Sequence, residues 1–186
     1  QRFSGDPQKW QQFWDTFESL IHKNEDLSDI DKFNYLRSVV SGEAMSAIEG
    51  FSPTKENYKH VIDLLIGRFG KKAFIISSHV ESILKLPELT GSDSIRKLRH
   101  TYDKLEMHIR SLQSLGIDSK QFGPLLVPVL LDRLPPDLAL IVSREFDADG
   151  DIWQLDNLLA SLKKEIEARE RSGHVSIHTK SNKEIN

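Results

Sequence analysis

The chain has 186 residues, 38% of them hydrophobic, with 25 Lys and Arg against 28 Asp and Glu and a formal charge of -3. That length holds one domain or two small ones, and the absence of cysteine removes disulfides, zinc knuckles and thiol catalysis. A pI near 6.2 argues against a dedicated nucleic-acid-binding domain; with no apolar run of about 18 residues and no charged-then-apolar leader pattern, the expectation is a soluble intracellular helical protein.

Residues 3–22 read FSGDPQKWQQFWDTFESLIH. Trp10, Phe13, Trp14, Phe17, Leu20 and Ile21 recur at steps of three and four, which is one helical face. Asp6 offers an N-cap oxygen, and Pro7 suits the first helical position, where its missing N–H costs nothing. So aromatic a stripe must be buried against other helices or a partner. Ser28 and Asp31 form a variant capping box ahead of a helix carrying Ile30, Phe33, Leu36 or Tyr35, Val39 and Val40, which Gly42 ends or bends. Ala44, Ala47 and Ile48 mark a short third helix stopped by Gly50. Ser52 and Pro53 open a fourth, with Tyr58, Val61, Ile62, Leu65 and Phe69 on one face and Gly70 as its stop.

Lys71-Lys72 is a plausible hinge, giving a first lobe over 1–70 and a second over 71–171. The second lobe opens with a helix carrying Phe74, Ile76, Val80, Ile83 and Leu84, blocked by Pro87. Thr90 to Asp93 reads as a turn, with Ser92 or Asp93 capping the next helix. That helix has the cleanest period in the chain: Ile95, Leu98, Tyr102, Leu105, Ile109 and Leu112, ended by Gly116. The pattern fits a buried bundle helix better than a coiled coil. Phe122, Leu125, Leu126, Val129, Leu130 and Leu134 form a dense apolar segment in which Pro128 should kink or split the helix. Pro135-Pro136-Asp137 starts a short helix with Leu138, Ile141, Val142 and Phe146. After the loop DADGD, Ile152, Leu155, Leu159, Leu162 and Ile166 form the last helix, flanked by Trp153 and Leu158. Residues 172–186 are polar and expected to be disordered.

Chemistry-bearing motifs are absent. There is no GxSxG, P-loop, GxGxxG or HExxH, so no enzyme, cofactor or metal site is expected. Asp147, Asp149, Gly150 and Asp151 resemble a calcium loop, but an EF-hand needs glycine sixth and Glu twelfth; here glycine is fourth and Leu158 twelfth. His174 and His178 are spaced like helical metal ligands without a nearby third ligand. His100 and His108 read as partly exposed structural histidines, and Gly67 to Gly70 as a helix C-terminus rather than a phosphate cradle. Arg96, Lys97, Arg99 and Lys104 read as a solvated face, a weak polyanion contact being the other option.

The segments FSGDPQKWQQFWDTFESLIH, LSDIDKFNYLRSVVSGEAMSAIEG, ENYKHVIDLLIGRFG and LLVPVLLDRLPPDL resemble, in order and with similar gaps, the capsid region of Gag from BEL/Pao-type long-terminal-repeat retrotransposons. The resemblance covers roughly residues 3–145. It implies an all-α, two-lobe retroviral-capsid-like helical bundle of about nine helices. It further implies a homo-oligomer whose N-terminal lobes form rings of five or six and whose C-terminal lobes link rings through two-fold contacts. The shell would be a cytoplasmic virus-like particle enclosing the element's RNA, captured by a segment absent here. Trp10, Phe13, Trp14 and Phe17 would form the N-lobe core or line a groove. Gly91, Asp93, Ser94, Ile95, Leu98 and Tyr102 resemble the turn and helix of the retroviral major homology region, with Thr90 in place of its usual Gln and Asp93 in place of its usual Glu. Phe122, Leu125, Leu126, Val129 and Leu130 are candidates for C-lobe self-association or, equally, plain core. The other reading is a domesticated Gag-derived module that binds a partner peptide in a groove of a host protein.

Overall fold

The computed structural model describes residues 2–91, 93–144 and 154–181, with 173–181 as backbone alone. Among these the fold is all-α, with one isolated parallel bridge between Phe3 and Val40 and no strand. The chain divides into two compact units, Gln1–His79 and Val80–Asn186.

In the first unit, α1 (Pro7–Phe17) begins as its sequence dictates: the Asp6 carboxylate accepts the Gln8 N–H at 3.0 Å and Pro7 fills the first turn. The helix then widens into a π turn over Glu18–His22. Helices α2 (Asp29–Val39), α3 (Gly42–Ile48) and α4 (Lys55–Phe69) follow. The Ser28 hydroxyl accepts the Asp31 N–H at 3.2 Å, the N-cap anticipated from its spacing, but the Asp31 carboxylate accepts from the Ser28 hydroxyl at 2.6 Å rather than from the Ser28 backbone N–H of a full capping box. Gly42 does not end α2. It opens α3 at a φ of +49°, a conformation that favours glycine. Thr54, not Ser52, caps α4, taking the Asn57 N–H at 3.2 Å. The extended Phe3 is tied in on both sides: its N–H donates to the Val39 carbonyl at 2.9 Å and its carbonyl accepts the Ser41 N–H at 2.8 Å. Phe33, Leu36, Val40, Ile48 and Leu65 are fully buried, while Tyr35 and Ile30 are exposed.

Helix α5 (Lys72–Leu84) carries the division between the units, which falls at His79–Val80 rather than at Lys71-Lys72. The reason is that its first half packs with the first unit: Ile75 is buried and the Gln8 side-chain amide donates to the Ser78 carbonyl at 3.0 Å. Its buried face is Ile75, His79 and Ile83; Phe74 and Leu84, expected inward, are exposed.

The second unit contains α6 (Ile95–Ser114), α7 (Ser119–Asp132), α8 (Pro136–Arg144) and α9 (Leu155–Ser181). α9 packs on α6, α7 and α8, burying Leu155, Leu158, Leu162 and Ile166 in three- and four-residue steps. Gly123 permits the α7–α9 contact, since a Cβ there would lie 3.2 Å from the Leu155 Cβ. At the far end Arg99 makes a two-pronged ion pair with Glu170, at 2.9 and 2.6 Å. Helix α7 runs unbroken through Pro124 and Pro128. Both prolines face outward; the carbonyls of Lys120 and Pro124 that lose an intrahelical donor therefore lie on the solvent side, where water can take its place. His108, expected on a flank, is buried within the α6 face. The backbone of α9 continues helically to Ser181, past the Ser172 limit drawn from composition; a helix already nucleated by its packed half propagates at little cost. Ile152 and Trp153, and the tail beyond Ser181, lie outside the described residues.

Candidate functional site

The aromatic stripe of α1 does two jobs. Trp10 and Phe17 are buried, Phe13 and Trp14 half-buried, and Leu20 is 60% exposed. Trp10 stacks on Trp14 with centroids 5.5 Å apart and meets Phe3 edge-on at 5.4 Å. The Gly70 backbone passes so close that a Cβ there would come within 2.7 Å of the Trp10 indole nitrogen. Phe13 turns the other way. It stacks on Phe3 at 4.7 Å and on Phe17 at 5.9 Å, and these rings floor a groove of about 270 Å³ between α1 and α2. Leu20 and Tyr35, the latter 47% exposed, form its lips. Among the described residues, Arg2 and Lys9 are the charged groups lining it. The groove is concave, apolar at the base and cationic at one rim, which suits an apolar segment carrying carboxylates. Leu20, assigned to the buried stripe from its spacing, belongs to this lip instead, because the π turn rotates it off the core-facing line.

The first unit also holds a polar cluster that sequence reading missed. The His22 Nδ1 and the Tyr58 hydroxyl are 2.8 Å apart, and buried Lys32 donates to the His22 carbonyl at 2.9 Å. Burial, then the Lys32 charge, lowers the His22 pKa, and burial pushes the Tyr58 hydroxyl well above its ordinary range. Nothing in the spacing of these residues announces the cluster.

In the second unit the turn before α6 is built by Asp93. Its carboxylate accepts the Thr90 N–H at 2.8 Å and the Lys97 ammonium at 2.9 Å, bonds that hold its pKa below the usual range. Ser94, rather than the anticipated Asp93, caps α6 through the Lys97 N–H; Ser92, the other candidate cap, lies outside the described residues. Ile95 is half-buried, Leu98 and Tyr102 are buried, and Gly91 is exposed with open space around it. Arg133 was also missed. Its guanidinium donates to the Leu84 carbonyl at 2.6 Å and to the Leu86 carbonyl, while its own carbonyl accepts the Leu89 N–H at 2.9 Å. One side chain thus closes the end of α5 onto the end of α7.

The apolar excess of α7 separates into two faces. Leu126 and Leu130 are core, with Val127; Phe122 and Val129 are half-buried, and Leu125 is 76% exposed between the outward Pro124 and Pro128. Spacings of three and four put Phe122, Leu125 and Val129 along one outer line.

Among the described residues no group of acids and histidines could hold a metal, and no helix is long and apolar enough to cross a membrane. The DADGD stretch and the side chains of His174 and His178 lie outside the described residues. No curated protein matches the chain, and no solved structure does. A family described as a protein of unknown function, DUF1759, matches residues 3–149, spanning both units. The chain therefore belongs to the DUF1759 family, commonly found in the Gag-like regions of retrotransposon polyproteins.

Proposed function

We propose that this chain is the structural capsid (Gag) protein of a BEL/Pao-type LTR retrotransposon, which self-assembles through its helical lobes into a shell around the element's RNA. It acts by association and not by catalysis. The observation that supports this most is the outward line of α7, where Leu125, at 76% the most exposed large hydrophobic side chain among the described residues, stands between two prolines. An apolar strip on a rigid helix suits a contact with the same strip of a second copy, as an isologous two-fold link requires. Ring contacts would be heterologous and closing. Each can be weak, because a shell multiplies it. With a formal charge of -3, RNA capture falls to another segment of the polyprotein, and the product is a cytoplasmic virus-like particle.

Light scattering coupled to size exclusion, over a range of protein and salt concentrations, with electron microscopy of any large fraction, tests this. Closed shells or tubes are the expected result; a monomer or dimer throughout would overturn it. A domesticated peptide-binding module is the second reading, and the open groove with its exposed lips favours it.

A further inference from the structure

The groove of the first unit fits an occupant whose chemistry is written in the chain. Its floor is Phe3, Phe13 and Phe17, its lips are Leu20 and Tyr35, and its lining charges, Arg2 and Lys9, are both positive and make no ion pair among the described residues. A fitting ligand has bulky apolar side chains for the floor and carboxylates for the rim. Residues 145–153 read EFDADGDIW: Phe146 at one end and the adjacent Ile152 and Trp153 at the other, with Asp147, Asp149 and Asp151 between them and Glu145 ahead. This stretch lies outside the described residues, and it carries no basic group to repel the rim.

We propose that the groove of one copy receives residues 145–153 of a second copy. The inference rests on the self-assembly reading above and supplies it with a ring contact. Groove and segment are two different surfaces of one chain, so the contact is head-to-tail, the kind that builds a ring where its rotation closes. Aromatic anchors fill the apolar floor; the carboxylates set register against Arg2 and Lys9 and make association salt-sensitive. The acidic stretch read as a near-miss calcium loop thereby gains a use that needs no metal.

The test uses a labelled synthetic peptide of residues 145–153, titrated by fluorescence anisotropy into the full chain carrying Phe146→Ala and Trp153→Ala, whose own segment no longer competes. Saturable binding is expected. It should weaken about tenfold when the receptor also carries Arg2→Glu and Lys9→Glu, and vanish when the peptide lacks Phe146 and Trp153. No binding, or binding indifferent to the Arg2 and Lys9 reversals, overturns the proposal. An Asp147→Asn, Asp149→Asn, Asp151→Asn chain keeps every apolar residue, so loss of folding does not decide the outcome; its self-association should fall to that of the Arg2→Glu, Lys9→Glu chain. Particles that persist in both charge variants remove this contact and leave the shell reading standing. Peptide binding to a chain that never forms particles does the reverse.

Discussion

The two units bury different kinds of surface. In the first, rings meet rings: Phe3, Trp10, Phe13, Trp14, Phe17 and Phe69 form a connected aromatic set. In the second, α6 and α9 interleave leucines and isoleucines. The cavity left between α6, α7 and α9 is about 30 Å³, against about 270 Å³ for the first unit's groove. Branched aliphatic side chains at three- and four-residue steps interdigitate and close the core between these helices; the second unit's larger hollows, about 450 Å³ along Asp103 to Ser114 and about 200 Å³ beside Gly123 and Leu155, lie outside that core and are lined mainly by polar residues. Flat rings pack as offset stacks and edges, and where the stack turns outward, at Phe13, its flank remains open. The aromatic unit is therefore suited to receive something, and the aliphatic unit to present its outer surface.

Trp10→Ala should break the first unit hardest. The indole is buried, so the truncation should cost about 3–5 kcal/mol. If the units melt separately, calorimetry should show the first transition lost and the second kept. Leu126→Ala is the matching cut in the second unit, at about 2–5 kcal/mol, and should move only the other transition. A Leu126 variant that melts like wild type would place the residue outside the core. Gly70→Ala should cost about 1–3 kcal/mol, because the new Cβ would drive into Trp10 and the indole has no room to yield. Gly67→Ala, three residues earlier in α4 with open space around it, should stabilise by about 0.5–1 kcal/mol through helix propensity alone. Equal effects at the two glycines, measured by urea unfolding, would remove the close-approach argument.

The smallest expected effect is of pH. Burial lowers the pKa of His22 in the first unit and of His108 in the second. Below about pH 6.5 the unfolded chain takes up these protons before the folded one does. Stability present at neutral pH should therefore decline as pH falls from about 6.5 toward the lowered folded-state values. Thermal melts between pH 7.5 and 5 should show this decline, and His22→Gln should flatten it in the first transition only.

How much of this could be read beforehand follows the same division. The α6 period was read correctly from Leu98 to Leu112, because a helix with one neighbourly face writes it as one stripe. The α1 stripe named the right aromatics but not their separation into core and groove. That separation depends on the π turn and on Phe3, brought beside α1 by its bridge to Val40. For α5 the apolar pattern finds Ile83 but misplaces Phe74 and Leu84, which are more apolar than His79, yet His79 is the buried one. Hydrophobicity alone could not say so. Arg133 and Lys32 were invisible for a related reason: each is bound to backbone carbonyls distant in sequence, and no local pattern records such a partner. In α7 the apolar excess was noted without its two-faced division, which only the position of α9 decides.

The outward line of α7 carries the assembly account, so Leu125→Asp is its most direct test. The substitution should leave both melting transitions where they are, because the side chain is 76% exposed. Under conditions in which the wild-type chain forms large particles, light scattering on the Leu125→Asp chain should find rings or smaller species and no shells. Shells of normal size from a Leu125→Asp chain that is fully folded would contradict the account.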